Sequence, residues 1–152
     1  MAALFRQWPS ESSRQHCAEA RARFGVDLFA DTLTERFCAD ALGGLDRGNG
    51  WAFDKAEVDA RFTECTDMMP HTLGDYLHEL AYWSHLYRLR NAVDGYGEPI
   101  HEVAARNDFI FRCLARIRAR TKDEAIAVFR YLSDSDRMGF AEANEIMLNL
   151  IE

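Results

Sequence analysis

Apolar residues in this chain recur at every third or fourth position, and no stretch alternates with a period of two. That pattern restricts the chain to helices, because positions i, i+3, i+4 and i+7 share one helix face while a half-buried strand requires alternation. Val26, Phe29, Leu33, Phe37 and Ala41 mark a helix over 26–42, and Val58, Phe62, Cys65 and Met69 mark the next one. Val103, Ile110, Cys113, Leu114 and Ile117 form the inward stripe of a helix over 100–120, and Phe140, Ala143, Met147 and Leu150 that of a last helix over 139–151. Only three prolines and nine glycines interrupt the chain, mostly between periodic segments. Pro9-Ser10 and Gly25 bracket a first helix over 10–23, Gly43-Gly44 closes the second, and Pro70 closes the third. Asp54 with Glu57, and Thr121 with Glu124, have the spacing of capping boxes, and Phe53 and Val58 that of a hydrophobic staple. Further helices follow over 71–92 and, from Thr121 onward, over 122–132. The expected fold is an all-α, single-domain bundle of six to seven helices spanning residues 1–152.

A chain of 152 residues with 48% apolar and 28% charged composition can bury a sufficient core without a metal or cross-link. Its formal charge of −7 disfavours non-specific nucleic-acid binding and attachment to anionic membranes. The longest uninterrupted apolar runs, Met1–Phe5 and Ala125–Phe129, are far too short to span a bilayer. Residues 1–8 lack the basic start and apolar core of a signal peptide, so a cytoplasmic location is expected. Cys17, Cys38, Cys65 and Cys113 show no CxxC spacing and sit among helical apolar positions, as reduced core thiols do.

Charge is unevenly distributed along the chain. Arg112, Arg116 and Arg120 recur every fourth residue and should form one ridge on the helix over 100–120, with Arg118 and Lys122 adding to the same positive field. Residues 112–122 thus carry five bases and no acid in an acidic protein. Arginine forks recognise carboxylates bidentately, so this segment is the candidate surface for a protein partner with an acidic face. Asp27, Asp31 and Glu35 repeat every fourth residue on the second helix. The two stripes could equally pair with each other, within a monomer or across a homodimer.

Two constellations have metal-like spacing. His71, Asp75 and His78, with Tyr82 and His85 beyond them, fall within about 80° of one helix face, where i, i+4 and i+7 could offer three ligands. No second element supplies matching donors, and solvated polar-face histidines are the simpler account. The segment Asp134–Glu145 resembles the calcium loop of EF-hand proteins, with acids at loop positions 1, 3, 9 and 12 and Gly139 at position 6. That resemblance would carry ligation onto Asp134, Asp136, Glu142 and Glu145, although Met138 stands where an oxygen donor belongs and Ala141 where a β-branched residue is usual.

Catalytic signatures are missing: there is no G-x-S-x-G elbow, no phosphate-binding glycine loop and no H-E-x-x-H. The stretch Leu114–Thr121 followed by Glu124-Ala125 resembles a helical hairpin of short uncharacterised proteobacterial and prophage proteins, a resemblance that implies a bacterial or phage origin and transfers no activity. The expected function is that of a non-catalytic interaction protein without a cofactor. A regulator, adaptor or inhibitor would fit, including a phage-encoded inhibitor of a host defence enzyme. The competing reading is a metal-binding bundle using His71, Asp75 and His78 or the 134–145 loop.

Overall fold

The computed structural model describes residues 18–19, 22–23, 28–48, 52–94 and 98–151. The helix expected over 10–23 lies largely outside these, and its four described positions are helical. Six further helices follow: α1 Leu33–Ala41, α2 Lys55–Glu64, α3 Leu73–Asp94, α4 His101–Cys113, α5 Lys122–Asp134 and α6 Ala141–Ile151, with a 3-10 turn over Thr66–Met68. No strand occurs among the described residues, so the periodicity correctly gives an all-α bundle.

Helix α4 is the hub. It packs against α1, α2 and α3, while α3 also covers α5, and α6 folds back onto α5. Its apolar residues are not confined to one stripe: Val103, Phe109, Ile110, Phe111 and Cys113 are all buried, so neighbours can seat on several sides. The Phe62 ring of α2 lies 5.4 Å from Phe109 and 6.0 Å from Phe37 of α1, joining three helices in one aromatic contact. Burying a ring of this size stabilises the fold by about 1.5–3 kcal/mol. Val128 and Leu132 of α5 and Ala143 and Ile146 of α6 extend the same core, whereas Phe140 is half exposed at the end of the α5–α6 connection. Cys38, Cys65 and Cys113 are free thiols.

Capping signals set several boundaries. Asp54 accepts from the amides of Ala56 and Glu57, and Thr121 from that of Glu124. Phe53 and Val58 both pack against the core, as a staple requires. Other boundaries move. The second helix begins at Leu33 rather than 26, because Thr32 and Glu35 form a full capping box there and residues 28–30 turn instead of coiling. Helix α2 stops at Glu64, and the residue before Pro70, Met69, is extended with ψ 128°, as the proline ring demands.

The largest displacement concerns the helix expected over 100–120, which ends at Cys113. Tight bonds from the amides of Leu114, Ala115 and Arg116 to the carbonyls of Phe111, Arg112 and Cys113 wind the chain out of the helix. Two carbonyls freed just beyond it, those of Leu114 and Ile117, accept from the side-chain amide of Asn149 on α6 at 3.0 and 2.7 Å. Leu114 itself is fully buried. A polar side chain 32 residues or more away thus replaces the partners that a continued helix would provide.

Candidate functional site

The basic segment lies mainly on the link between α4 and α5, not on a helix. Arg112 occupies the last turn of α4, Arg116 to Arg120 follow in the link, and Lys122 is the first residue of α5. The ridge expected from four-residue spacing therefore does not form, because the helix needed to align Arg112, Arg116 and Arg120 ends before the second of them.

Each base has a distinct environment. The Arg112 side chain is only 15% exposed and forms an ion pair with Asp59 of α2. Arg116 reaches the other oxygen of Asp59 at 3.6 Å and stays 64% exposed. Arg120 donates through Nε and Nη2 to Glu124 Oε1 at 3.1 and 2.7 Å, while its backbone amide donates to Glu124 Oε2. Glu124 therefore reaches one residue past the N-cap, closing the start of α5 on Arg120 rather than Thr121. Paired in this way, the Glu124 carboxyl falls below and the Arg120 guanidinium rises above its ordinary value. Arg118 and Lys122 are exposed and form no ion pair among the described residues. Three of the five bases thus pair with two acids, Asp59 and Glu124, while Asp123, next to Lys122 in sequence, and Asp75, whose charge acts on Arg120, adjoin the same segment. Lys122 stands at the positive end of the α5 dipole, where a cation is disfavoured, so helix stability does not account for its placement.

The acidic stripe expected on the second helix is not a stripe. Asp27 lies outside the described residues, Asp31 precedes α1, and Glu35 is buried. Glu35 accepts from Arg90 Nη1 and the Tyr87 hydroxyl at 2.6 Å each, from the Thr32 amide at 2.8 Å and from Arg90 Nη2 at 3.1 Å. Burial alone would raise its carboxyl, but the bonds from Arg90, Tyr87 and Thr32 outweigh this and hold it at about 2. Arg90 completes the arrangement by donating to the carbonyls of Leu28 and Ala30, which fastens the chain ahead of α1 to the end of α3. A second pair joins the buried Arg106 of α4 to the partly exposed Glu79 of α3 at 2.7 and 2.9 Å, and Arg106 Nη2 also donates to the Met68 carbonyl.

The sequence pattern missed both pairs. Arg90 and Arg106 fall outside any four-residue stripe, Arg90 lying only two residues from the exposed Arg88, and their partners lie 55 and 27 residues away. The only local hint is the Thr32-Leu33-Thr34-Glu35 capping spacing.

The metal-like constellations do not assemble. His71 precedes α3, and the Asp75 carboxylate accepts from the amides of His71 and Thr72 and from the Thr72 hydroxyl. Led by the Thr72 hydroxyl bond, these contacts lower the Asp75 carboxyl, as expected of an acid engaged at a helix start. His78 and His85 are exposed. Asp134 ends α5, Asp136 adopts φ 57°, and Glu142 faces Lys55 at 3.7 Å. Among the described residues no three His, Cys, Asp or Glu side chains come together as a metal-holding group. Burial pushes the Cys38 thiol up to about 12 and raises that of Cys113, which keeps both protonated and poorly nucleophilic. No helix of the described residues is long and apolar enough to cross a membrane. Comparison with protein-family models, curated proteins and solved structures finds no match to this chain.

Proposed function

We propose that this protein is a helical docking protein that presents the α4–α5 link to a protein partner with an acidic surface. The observation that carries this reading is the exposure of Arg116, Arg118, Arg120 and Lys122 within seven consecutive residues, on the irregular link that leaves the buried end of α4 and on the first residue of α5. Segments of this kind, displayed by a rigid scaffold, commonly carry recognition. Arg118 and Lys122 have no ion pair to break among the described residues, and Arg116 and Arg120 can exchange theirs at little cost because exposed ion pairs contribute only about 0–1 kcal/mol. An acidic partner would relieve the repulsion among these bases and gain charge-assisted hydrogen bonds. A regulator, adaptor or inhibitor acts in this way without a reaction of its own, and a phage-encoded inhibitor of a host enzyme is one such form.

The test uses a fluorescently labelled deca-glutamate peptide and follows its anisotropy on titration with the whole protein. Saturable binding that weakens steeply with salt is expected, since screening shortens electrostatic reach to about 10 Å at 0.1 M. Failure to bind would overturn the reading. Equal or tighter binding of a single-stranded oligonucleotide of the same charge would replace the protein partner with nucleic acid.

A further inference from the structure

Of the ten exposed large apolar side chains among the described residues, six fall between Ile126 and Ile151, on or between the two helices that follow the basic link. Single exposed apolar residues are ordinary on any protein, so alignment on one face is the informative feature. On α5 they align. Lys122, Ile126, Phe129 and Ser133 stand at i, i+4, i+7 and i+11 and fall within about 60° of one helix face. All four are exposed, Ile126 by 38% and Phe129 by 47%. Val128 and Leu132, which seat α5 on the core, are fully buried, so this stripe is not the face that holds the helix.

The stripe starts in the basic segment. Lys122 is its first residue and also the last of the exposed bases, and Phe129 follows about 10 Å further along the helix axis. The exposed Arg130 flanks Ile126, whereas Asp123 and Asp134 lie about 90–110° round the helix from the centre of the stripe. The surface thus presents positive charge first and apolar contact beyond it. Water satisfies the bases but gains nothing from Ile126 and Phe129.

This order of charge and apolar surface specifies the partner. An exposed row at three-to-four spacing is narrow and suits a second helix packing along it, ridge against groove. A second copy of this chain offers no match, because its own stripe carries a lysine and a serine and no acid. We propose that the link and the α5 stripe together receive an acidic amphipathic helix of the partner protein, its carboxylates meeting Lys122 and the neighbouring bases and its apolar residues lying along Ile126 and Phe129. This rests on the docking reading of the link and adds the partner's secondary structure and its apolar anchors.

Two labelled peptides of identical composition test it, each about 20 residues long, alanine-rich and with glutamates at both ends, so that either direction of binding brings acid to the link. One carries leucines at three-to-four spacing, and in the other they are shuffled around the helix. The amphipathic peptide should bind the whole protein about tenfold more tightly than the shuffled one, as covering two partly exposed apolar side chains would give. Ile126→Gln with Phe129→Gln should remove that advantage and leave the deca-glutamate affinity unchanged. Equal affinities for the two peptides, or an advantage that survives the double substitution, would overturn the proposal and leave the docking reading standing. Failure of deca-glutamate to bind removes both. Two further results overturn the proposal alone. A loss of stability from the double substitution as large as that from Val128→Gln, at a fully buried position, would show that the chain itself covers the stripe. A dimer in sedimentation that the double substitution dissolves would place a second copy there.

Discussion

Arginine performs opposite tasks in two regions of this molecule. In the interior, Arg90 and Arg106 are 7% and 2% exposed, and each grips one carboxylate and at least one backbone carbonyl. On the α4–α5 link, the side chains of Arg116 and Arg120 are about two-thirds exposed, and Arg118 and Lys122 have no ion-pair partner among the described residues. The difference shows that clustering in sequence does not identify arginines that matter to the fold. Arg90, two residues from the exposed Arg88, and Arg106 tie distant segments together, and of the clustered bases only Arg112, pinned to Asp59, is largely covered.

The comparison breaks most visibly if the interior pairs prove dispensable. Arg90→Ala leaves Glu35 buried without its cation, and uncompensated buried charges of this kind cost about 3–5 kcal/mol, so urea unfolding should show a correspondingly lower stability. A loss under about 1 kcal/mol would mean that the pair adds nothing beyond its own desolvation.

Acid titration sharpens the same contrast. Glu35 is held at about 2 in the folded protein, against an ordinary value of 4.5. A lowered carboxyl contributes stability that is complete above the unfolded value and is lost as the pH falls towards the folded one. That difference corresponds to roughly 3 kcal/mol, disappearing between about pH 4.5 and 2. Glu35→Gln should be less stable at neutral pH and should lose less on acidification through this window, as followed by helical circular dichroism.

A smaller effect concerns how the link is formed. Asn149→Ala deprives the Leu114 and Ile117 carbonyls of their shared donor and should cost about 1–2 kcal/mol, with faster amide exchange across residues 114–121 as its local signature. Unchanged exchange there would show that the chain leaves the helix for another reason. Arg118→Glu with Lys122→Glu should have the smallest effect, moving stability by no more than about 0.5 kcal/mol, as exposed substitutions do.

Helix content was legible because burial imposes a period, and the caps at Asp54 and Thr121 were legible because they use local spacing. The end of α4 was not. Residues 114–120 contain no glycine or proline, their apolar positions continue the helical stripe, and the group that accommodates the break, Asn149, sits two helices later. Extending that helix turned a bent, exposed link into a straight ridge and hid the separate role of Arg112, which is pinned to Asp59. Glu35 misled the reading in the opposite direction, since its spacing from Asp31 suggested an acidic stripe along a helix while its capping bond and two distant partners, Tyr87 and Arg90, hold it in the interior. Electrostatic pairing at long range leaves no periodic trace.

The division between structural and displayed arginines is tested most directly by the affinity of the deca-glutamate peptide for two charge-matched variants. Arg118→Glu with Lys122→Glu reverses two bases at the link, and Arg47→Glu with Arg88→Glu reverses two exposed bases elsewhere. The link variant should bind about tenfold or more weakly than the unaltered protein, because like charges facing one another at an interface cost several kcal/mol, while the control should change far less. Equal losses in the two variants would contradict the account, showing that the peptide senses only the overall charge of the molecule.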